Sequence, residues 1–338
     1  MPMVRPIGGL GFLGLILPTA PQDEIPVQSG RTTYPTSGDT WGATAPAAAL
    51  ARTCAEAEAA GAGALWAVDH LFWPRPMLEC LSALTVAATA TRRAVLGSCV
   101  LQLPLRRAVV VAKQASTLQL LSGGRFVLGL GVGSHPGEYE AAGVDFGARG
   151  RLLDQGIARL HEAWGSAGTA GPYRQEPPGA VPVWIGGSGP AALRRAATVA
   201  DGWVPMFVQP DEYAEALRGL RRATVAAGRP EDGVTASVVV MVSLGRSGGA
   251  AERGGRWLSA LYGIPPRAFA RHLVAGTAAA CAEQVARYHS AGAGHVVVMI
   301  TDDHPVEQFA ELAAELGPDI AGTGPTGRSR ADLAEVPT

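Results

Sequence analysis

Along this chain, short uninterrupted apolar runs alternate with longer Ala-rich segments in which polar residues recur at helical spacing. Runs such as Val238-Val239-Val240-Met241-Val242 and Val296-Val297-Val298-Met299-Ile300 contain no alternating polar position, which suits strands buried on both faces of a parallel sheet. The pattern predicts strands near 10–17, 64–68, 94–101, 126–131, 182–186, 202–207, 235–243 and 295–300. Between them it predicts helices at 46–60, 79–90, 107–121, 149–164, 190–199, 211–226, 277–290 and 305–316, with a further helical stretch near 250–273. Two segments share one signature: 55–63 ahead of Leu65-Trp66-Ala67-Val68, and 288–294 ahead of His295-Val296-Val297. Each is a helix stopped by glycine and followed at once by a strand, the αβ step of a repeating unit. About eight such units is the count of a closed α/β (β/α)8 TIM barrel. A doubly wound open sheet is the alternative, and the lack of a dinucleotide fingerprint in the first βα turn weighs against it.

One barrel domain over 1–316 is therefore expected, with insertions near 18–45 and 244–275 and a flexible tail at 317–338. The insertions follow the first and seventh strands, so both would emerge on the C-terminal rim, where barrels place their sites. They read as walls or lids over a substrate, or as plain surface loops.

Composition narrows the function classes. With 338 residues, 47% hydrophobic and 17% charged, the chain can bury a large core. A formal net charge of -1 provides no electrostatic footprint for nucleic acid or an anionic membrane, so neither partner is expected. Cys54, Cys80, Cys99 and Cys281 are widely spaced without zinc-ligand spacing; no metal is expected, and they read as reduced thiols of a cytoplasmic protein. Arg5 and the apolar run from Ile7 to Leu17 superficially resemble a secretory leader. Four glycines within that run make it a poor helix, and it reads better as the first buried strand. No apolar run approaches the roughly 20 residues needed to span a bilayer.

Candidate chemistry collects at strand ends. Val127 to Glu140 is a strand emptying into Gly129, Gly131 and Gly133, followed by Ser134, His135 and Glu138; the glycines would let the backbone approach a ligand. Pro136 stands where a dinucleotide loop wants its third glycine. Asp69-His70 close the second strand beside Phe72, Trp73 and Pro74, where a rim histidine can trade protons near neutrality or merely pack under aromatics. Gly97-Ser98-Cys99-Val100 is a small-residue patch with room for a flat ring, and Cys99 reads as a small hydrophobe rather than a nucleophile. Gly186-Gly187-Ser188-Gly189-Pro190 opens an Ala-rich helix bearing Arg194 and Arg195, which makes either an anion site of free N–H groups or an ordinary capped turn. Phe72, Trp73, Phe207, Trp257 and Tyr262 could line an apolar pocket or fill core.

As an ordered set, these pieces resemble the luciferase-like monooxygenase family of flavin and deazaflavin oxidoreductases, most closely its branch using coenzyme F420. The resemblance rests on Leu65 to His70 with Trp73-Pro74, Leu96 to Leu101, Ala112-Lys113-Gln114, Leu121 to Arg125 and Leu128 to Gly133. It continues in Glu138-Tyr139, Arg149-Gly150-Arg151, Trp184 to Pro190, Ala200 to Trp203 and Gly276-Thr277. It implies a (β/α)8 fold with His70 as the proton-transfer residue and Asp69 beside it as catalytic residues. A non-prolyl cis peptide at Cys99-Val100 would stand behind the cofactor ring, and Gly186, Gly187, Ser188 and Gly189 would hold the cofactor phosphate. Gly131, Gly133 and Ser134 would border the cofactor tail. Trp73, His135 and Glu138 are the substrate-side candidates. Ser134 stands where a sugar-phosphate dehydrogenase of the family has its acid, so a sugar phosphate is not implied.

The implied activity is hydride transfer between F420 and a small organic substrate. The alternative is an FMN-dependent monooxygenase using O2 and a separate reductase that reduces its cofactor; from another class, a non-catalytic ligand-binding barrel. A homodimer is expected.

Overall fold

In a computed structural model, the described residues are 11, 13–18, 46–73, 77–165, 180–245, 248–302 and 304–321. The expected insertion at 18–45 beyond Pro18, Pro74 at the rim, and the tail beyond Ala321 lie outside them.

The buried apolar runs form ten parallel strands: β1 (Leu13–Ile16), β2 (Ala64–Ala67), β3 (Val95–Ser98), β4 (Leu101–Gln102), β5 (Phe126–Gly131), β6 (Val183–Gly186), β7 (Gly202–Val204), β8 (Thr235–Leu244), β9 (Leu273–Gly276) and β10 (His295–Ile300). Neighbours run β1-β2-β3-β5-β6-β7-β8-β10, and β10 pairs with β1, closing an eight-stranded barrel. Strand 94–101 is split: the Cys99–Val100 peptide is cis, and β4 resumes the pairing with β5.

Around the sheet lie α1 (Pro46–Ala59), α2 (Cys80–Ala90), α3 (Ala108–Leu121), α4 (Pro136–Ala141), α5 (Arg149–Ala163), α6 (Pro190–Val199), α7 (Pro210–Ala226), α8 (Ala250–Tyr262), α9 (Ala278–Ser290) and α10 (Pro305–Ala321). Gly61 and Gly292, which end the two repeated helix signatures, have φ of 96° and 100°, a conformation glycine adopts without strain. Among the described residues, no helix is long and apolar enough to cross a membrane.

The expected helix near 250–273 is shorter than its pattern. Gly263 caps α8 in the left-handed region, Pro265 and Pro266 prevent its continuation, and the chain then enters β9. This strand pairs with β8 at Met241–Leu244, along the edge that β7 uses only as far as Ala236. The segment after the seventh barrel strand is thus tied back into the sheet. The short α4, begun by Pro136 at its first turn, also stands where only a loop was expected.

Side-chain alternation along each strand divides the apolar residues into two layers. Leu65, Val296 and Val298 face the helices, whereas Trp66, Trp184, Val297 and Met299 fill the barrel. Trp66 and Trp184 are fully buried, with ring centroids 5.0 Å apart. Burial of each indole contributes on the order of 5 kcal/mol. Each lies across a glycine in register on the next strand: Trp66 over Gly97 and Trp184 over Gly202. A Cβ on Gly97 would stand 2.1 Å from the Trp66 ring. The flat ring that the small-residue patch accommodates is therefore the protein's own indole at Gly97.

His295 completes this floor. Its Nδ1 donates to the Gly11 carbonyl at 2.6 Å, and its bare Nε2 accepts from Trp66 Nε1 at 3.0 Å. Complete burial lowers its pKa from 6.5 to about 4, with the Gly11 hydrogen bond opposing. The folded barrel therefore refuses a proton that the unfolded chain accepts, so stability is fully present above pH 6.5 and is lost as pH falls toward 4. Denaturant unfolding should show a loss approaching about 1.4 kcal/mol per pH unit within that window. His295→Gln should be less stable at pH 7.5 but flatter between pH 7.5 and 5; an unchanged slope would refute the assignment.

Candidate functional site

The C-terminal ends of β2, β3, β5, β6 and β7 surround one mouth. His70, just beyond β2, is one-fifth exposed, and its Nδ1 lies 3.1 Å from Glu138 Oε2. A carboxylate only accepts, so Nδ1 carries the proton and Nε2 is left as the free basic nitrogen. The imidazole stacks on Trp73 with centroids 3.6 Å apart, which fixes its plane.

Glu138, on α4, has no exposed side-chain surface. One oxygen accepts from the Leu71 and Phe72 backbone N–H groups, and the other from His70 and Gln102 Nε2. Burial raises the cost of its charge, but the His70 hydrogen bond and charge, with Gln102 and Leu71, hold its pKa below the usual value. The substrate-facing role expected for Glu138 is thereby corrected: its acceptors are committed to the protein, and it orients His70 from behind.

Asp69 is likewise turned inward. Both its oxygens meet Arg106 at 2.7 Å, and Gln102 N donates to it at 2.8 Å. Burial pushes this carboxyl upward, while the Arg106 charge and the Gln102 N–H pull it down. Asp69 is a buried anchor for the β2 end rather than a group facing reacting atoms. Gln102 joins the two acids, its Nε2 also donating to the Asp69 carbonyl at 2.9 Å. Arg106 and Gln102 were not singled out from sequence; their polarity within the apolar stretch Val100–Val111 was the available signal.

Cys99 and Val100 stand at the floor of the mouth. Burial pushes the Cys99 thiol to about 12, so it is not a thiolate nucleophile near neutrality. Val100 leans against two glycines: a Cβ would lie 2.4 Å from its side chain at Gly131 and 2.9 Å at Gly186. A Cβ on Gly133 would stand 1.8 Å from Gln102 Oε1. The space on the Cβ side of Gly131 and Gly133 is therefore filled by protein. Ser134 and His135 remain exposed on the rim, with His135 edge-on to Trp73 at 5.9 Å.

On the opposite side, Gly187, Ser188 and Gly189 form an exposed loop ahead of α6. Trp203 Nε1 fixes it by donating to the Gly187 carbonyl at 2.8 Å, and Gly187 has φ of 105°. No side chain caps α6; the Gly189 carbonyl starts its ladder, leaving the N–H groups of Ser188, Gly189 and Ala191 without partners among the described residues. Such donors at a helix N-terminus suit an anion. Arg195 does not contribute, because Asp154 and the Gly150 carbonyl hold it.

The remaining wall is aromatic. Tyr262, the last residue of α8, meets Trp73 at 5.5 Å, Phe269 at 5.4 Å and Phe207 at 6.4 Å. Trp257 packs on the same inner cluster, whereas Phe72 is exposed. Phe207 has φ of 60°, a conformation costly for a bulky side chain, and its ring also touches Phe269 and His272. Phe269 had no sequence signal beyond being an isolated aromatic in the insertion.

Glu138→Gln should weaken the tautomer preference, because an amide can either accept from Nδ1 or donate to it. Long-range proton–nitrogen correlation spectra above pH 8 should show His70 Nδ1-protonated in the parent and mixed in the variant. Glu138→Ala should cost about 3 kcal/mol or more by leaving buried donors unpaired; a loss below 1 kcal/mol would contradict this bonding.

Comparison with known proteins gives concordant findings. The sequence profile of luciferase-like monooxygenases matches residues 26–253. The phthiodiolone/phenolphthiodiolone dimycocerosates ketoreductase of Mycobacterium kansasii is 32% identical over 229 residues, covering 61% of this chain and 59% of that protein. The protein of the same name from Mycobacterium tuberculosis H37Rv is 31% identical over 198 residues, covering 52% and 51%. The chain thus spans about half to three-fifths of these curated relatives. The fold matches an F420-dependent secondary alcohol dehydrogenase at TM-score 0.68 and 18% identity, covering 81% of this chain and 96% of that one. It also matches the coenzyme F420 dependent tetrahydromethanopterin reductase from Methanopyrus kandleri at TM-score 0.68 and 17% identity, covering 92% and 99%. A Pseudomonas putida type II Baeyer-Villiger monooxygenase in complex with FMN matches at TM-score 0.66 and 15% identity, covering 93% and 98%.

Proposed function

Because this chain belongs to the luciferase-like monooxygenase family, we propose that it is an oxidoreductase whose barrel mouth takes coenzyme F420 and exchanges a hydride with a small organic alcohol or ketone. The observation that carries this reading is His70, one-fifth exposed at a barrel strand end and held through Nδ1 by the Glu138 carboxylate, which leaves Nε2 uncommitted. The names of the relatives, a ketoreductase and an F420-dependent secondary alcohol dehydrogenase, support the substrate class.

The residues present fit a flat cofactor with an anionic tail. The Ser188, Gly189 and Ala191 N–H groups would receive its phosphate, Cys99 and Val100 would lie behind its ring, and Ser134 would border its tail. When bound, the deazaflavin supplies the hydride donor or acceptor. His70 Nε2 takes the hydroxyl proton when an alcohol is oxidised and returns it to the oxygen when a ketone is reduced. Glu138 stabilises the imidazolium formed in the first direction and keeps Nδ1 protonated in both.

His70→Asn should leave cofactor affinity within a few-fold while lowering turnover by about 10²-fold or more; undiminished turnover would remove the assignment. Reduced FMN with O2 is the competing chemistry, also represented among the structural neighbours. Titration of the purified protein with F420 and with FMN, followed by tryptophan quenching, separates them. Saturation by F420 at low micromolar concentration is expected, and such binding by FMN alone would overturn the choice.

A further inference from the structure

Tyr262 provides a second polar group in the mouth, carried by the segment after β8. Its ring is held between Trp73, Phe207 and Phe269, so the hydroxyl has a fixed direction. The residue packs on the inner barrel cluster together with Cys99 and Val100. Unlike Tyr139 and Tyr288, whose hydroxyls donate to the Val132 and Val208 carbonyls, Tyr262 has no hydrogen-bond partner among the described residues. Trp73 links it to the proton-transfer side, because the same indole stacks on His70. Burial pushes the Tyr262 hydroxyl to about 12, with the Cys99 thiol adding in the same direction, so it remains protonated near neutrality.

A neutral phenol surrounded by rings is suited to an oxygen on an otherwise apolar, uncharged molecule. We propose that Tyr262 is a substrate-positioning residue whose hydroxyl donates a hydrogen bond to the carbonyl or hydroxyl oxygen of such a substrate. This rests on the alcohol–ketone reading above. His70 moves the proton; Tyr262 keeps its own and fixes the oxygen beside Nε2. The specificity that follows is for substrates with one oxygen at the end of an apolar body, since the rings around Tyr262 offer no charge to a carboxylate or phosphate.

Tyr262→Phe removes the oxygen and keeps the ring. Calorimetric titration with benzamide, an unreactive carbonyl compound, and with toluene, of similar size without the oxygen, isolates the hydrogen bond. Benzamide should bind about tenfold more weakly to the variant, the equivalent of one neutral hydrogen bond, while toluene affinity stays within twofold. With acetophenone as the ketone, KM should rise about tenfold with a smaller change in kcat. Equal weakening of both ligands would show a packing role and overturn the proposal, as would unchanged benzamide affinity. A parent protein that binds benzamide no better than toluene would overturn it too. If the parent fails to bind F420, the cofactor reading falls, and the benzamide–toluene comparison on cofactor-free protein still decides the role of Tyr262.

Discussion

The barrel depends on a steric pairing: the two indoles in its interior each lie over a glycine on the neighbouring strand. Eight strands enclose a volume that side chains must fill, and Trp66 and Trp184 fill much of it because Gly97 and Gly202 stand in register beside them. His295 then satisfies one indole N–H without introducing a charge. A largely apolar floor follows, and the Asp69, Glu138 and His70 groups stand at the mouth above it.

At that mouth, the backbone and the His70 imidazole are coupled through two buried acids with separate tasks. Asp69 is neutralised by the planar Arg106 fork, which anchors the end of β2 against the turn after β4. Glu138 meets no guanidinium; it gathers backbone N–H groups, an amide and the His70 imidazole, whose charge when protonated favours the carboxylate. A buried carboxylate compensated mainly by neutral donors retains its field, and His70 is where that field reaches the opening. The same carboxylate that braces the loop after β2 therefore sets the tautomer of His70.

Much of the architecture was legible because buried parallel strands leave continuous apolar runs and because glycines end the intervening helices. All eight barrel strands fall where those runs lie. The sequence was less informative about β9, whose four residues follow a glycine and two prolines and gain their ladder only from an edge that β7 leaves open. In the site, His70 was visible by position at a strand end. The partnership with Glu138 spans 68 residues of chain and could not be read from spacing. The glycines at and beyond the end of β5 were legible only in part: a missing side chain signals close approach, and the groups that approach on the Cβ side, Val100 at Gly131 and Gln102 at Gly133, could not be read from spacing.

The return of the chain to β8 through β9 has a consequence for how this scaffold can diversify. Tyr262 and Phe269 lie on a stretch clamped at both ends by sheet hydrogen bonds, leaving from Leu244 and re-entering at Leu273. Its length and its rings are not fixed by the ladder, because both attachment points are registered on one strand. Trp73 is where this stretch meets the rest of the mouth, since its indole contacts Tyr262 on one side and stacks on His70, held by β2, β4 and α4, on the other.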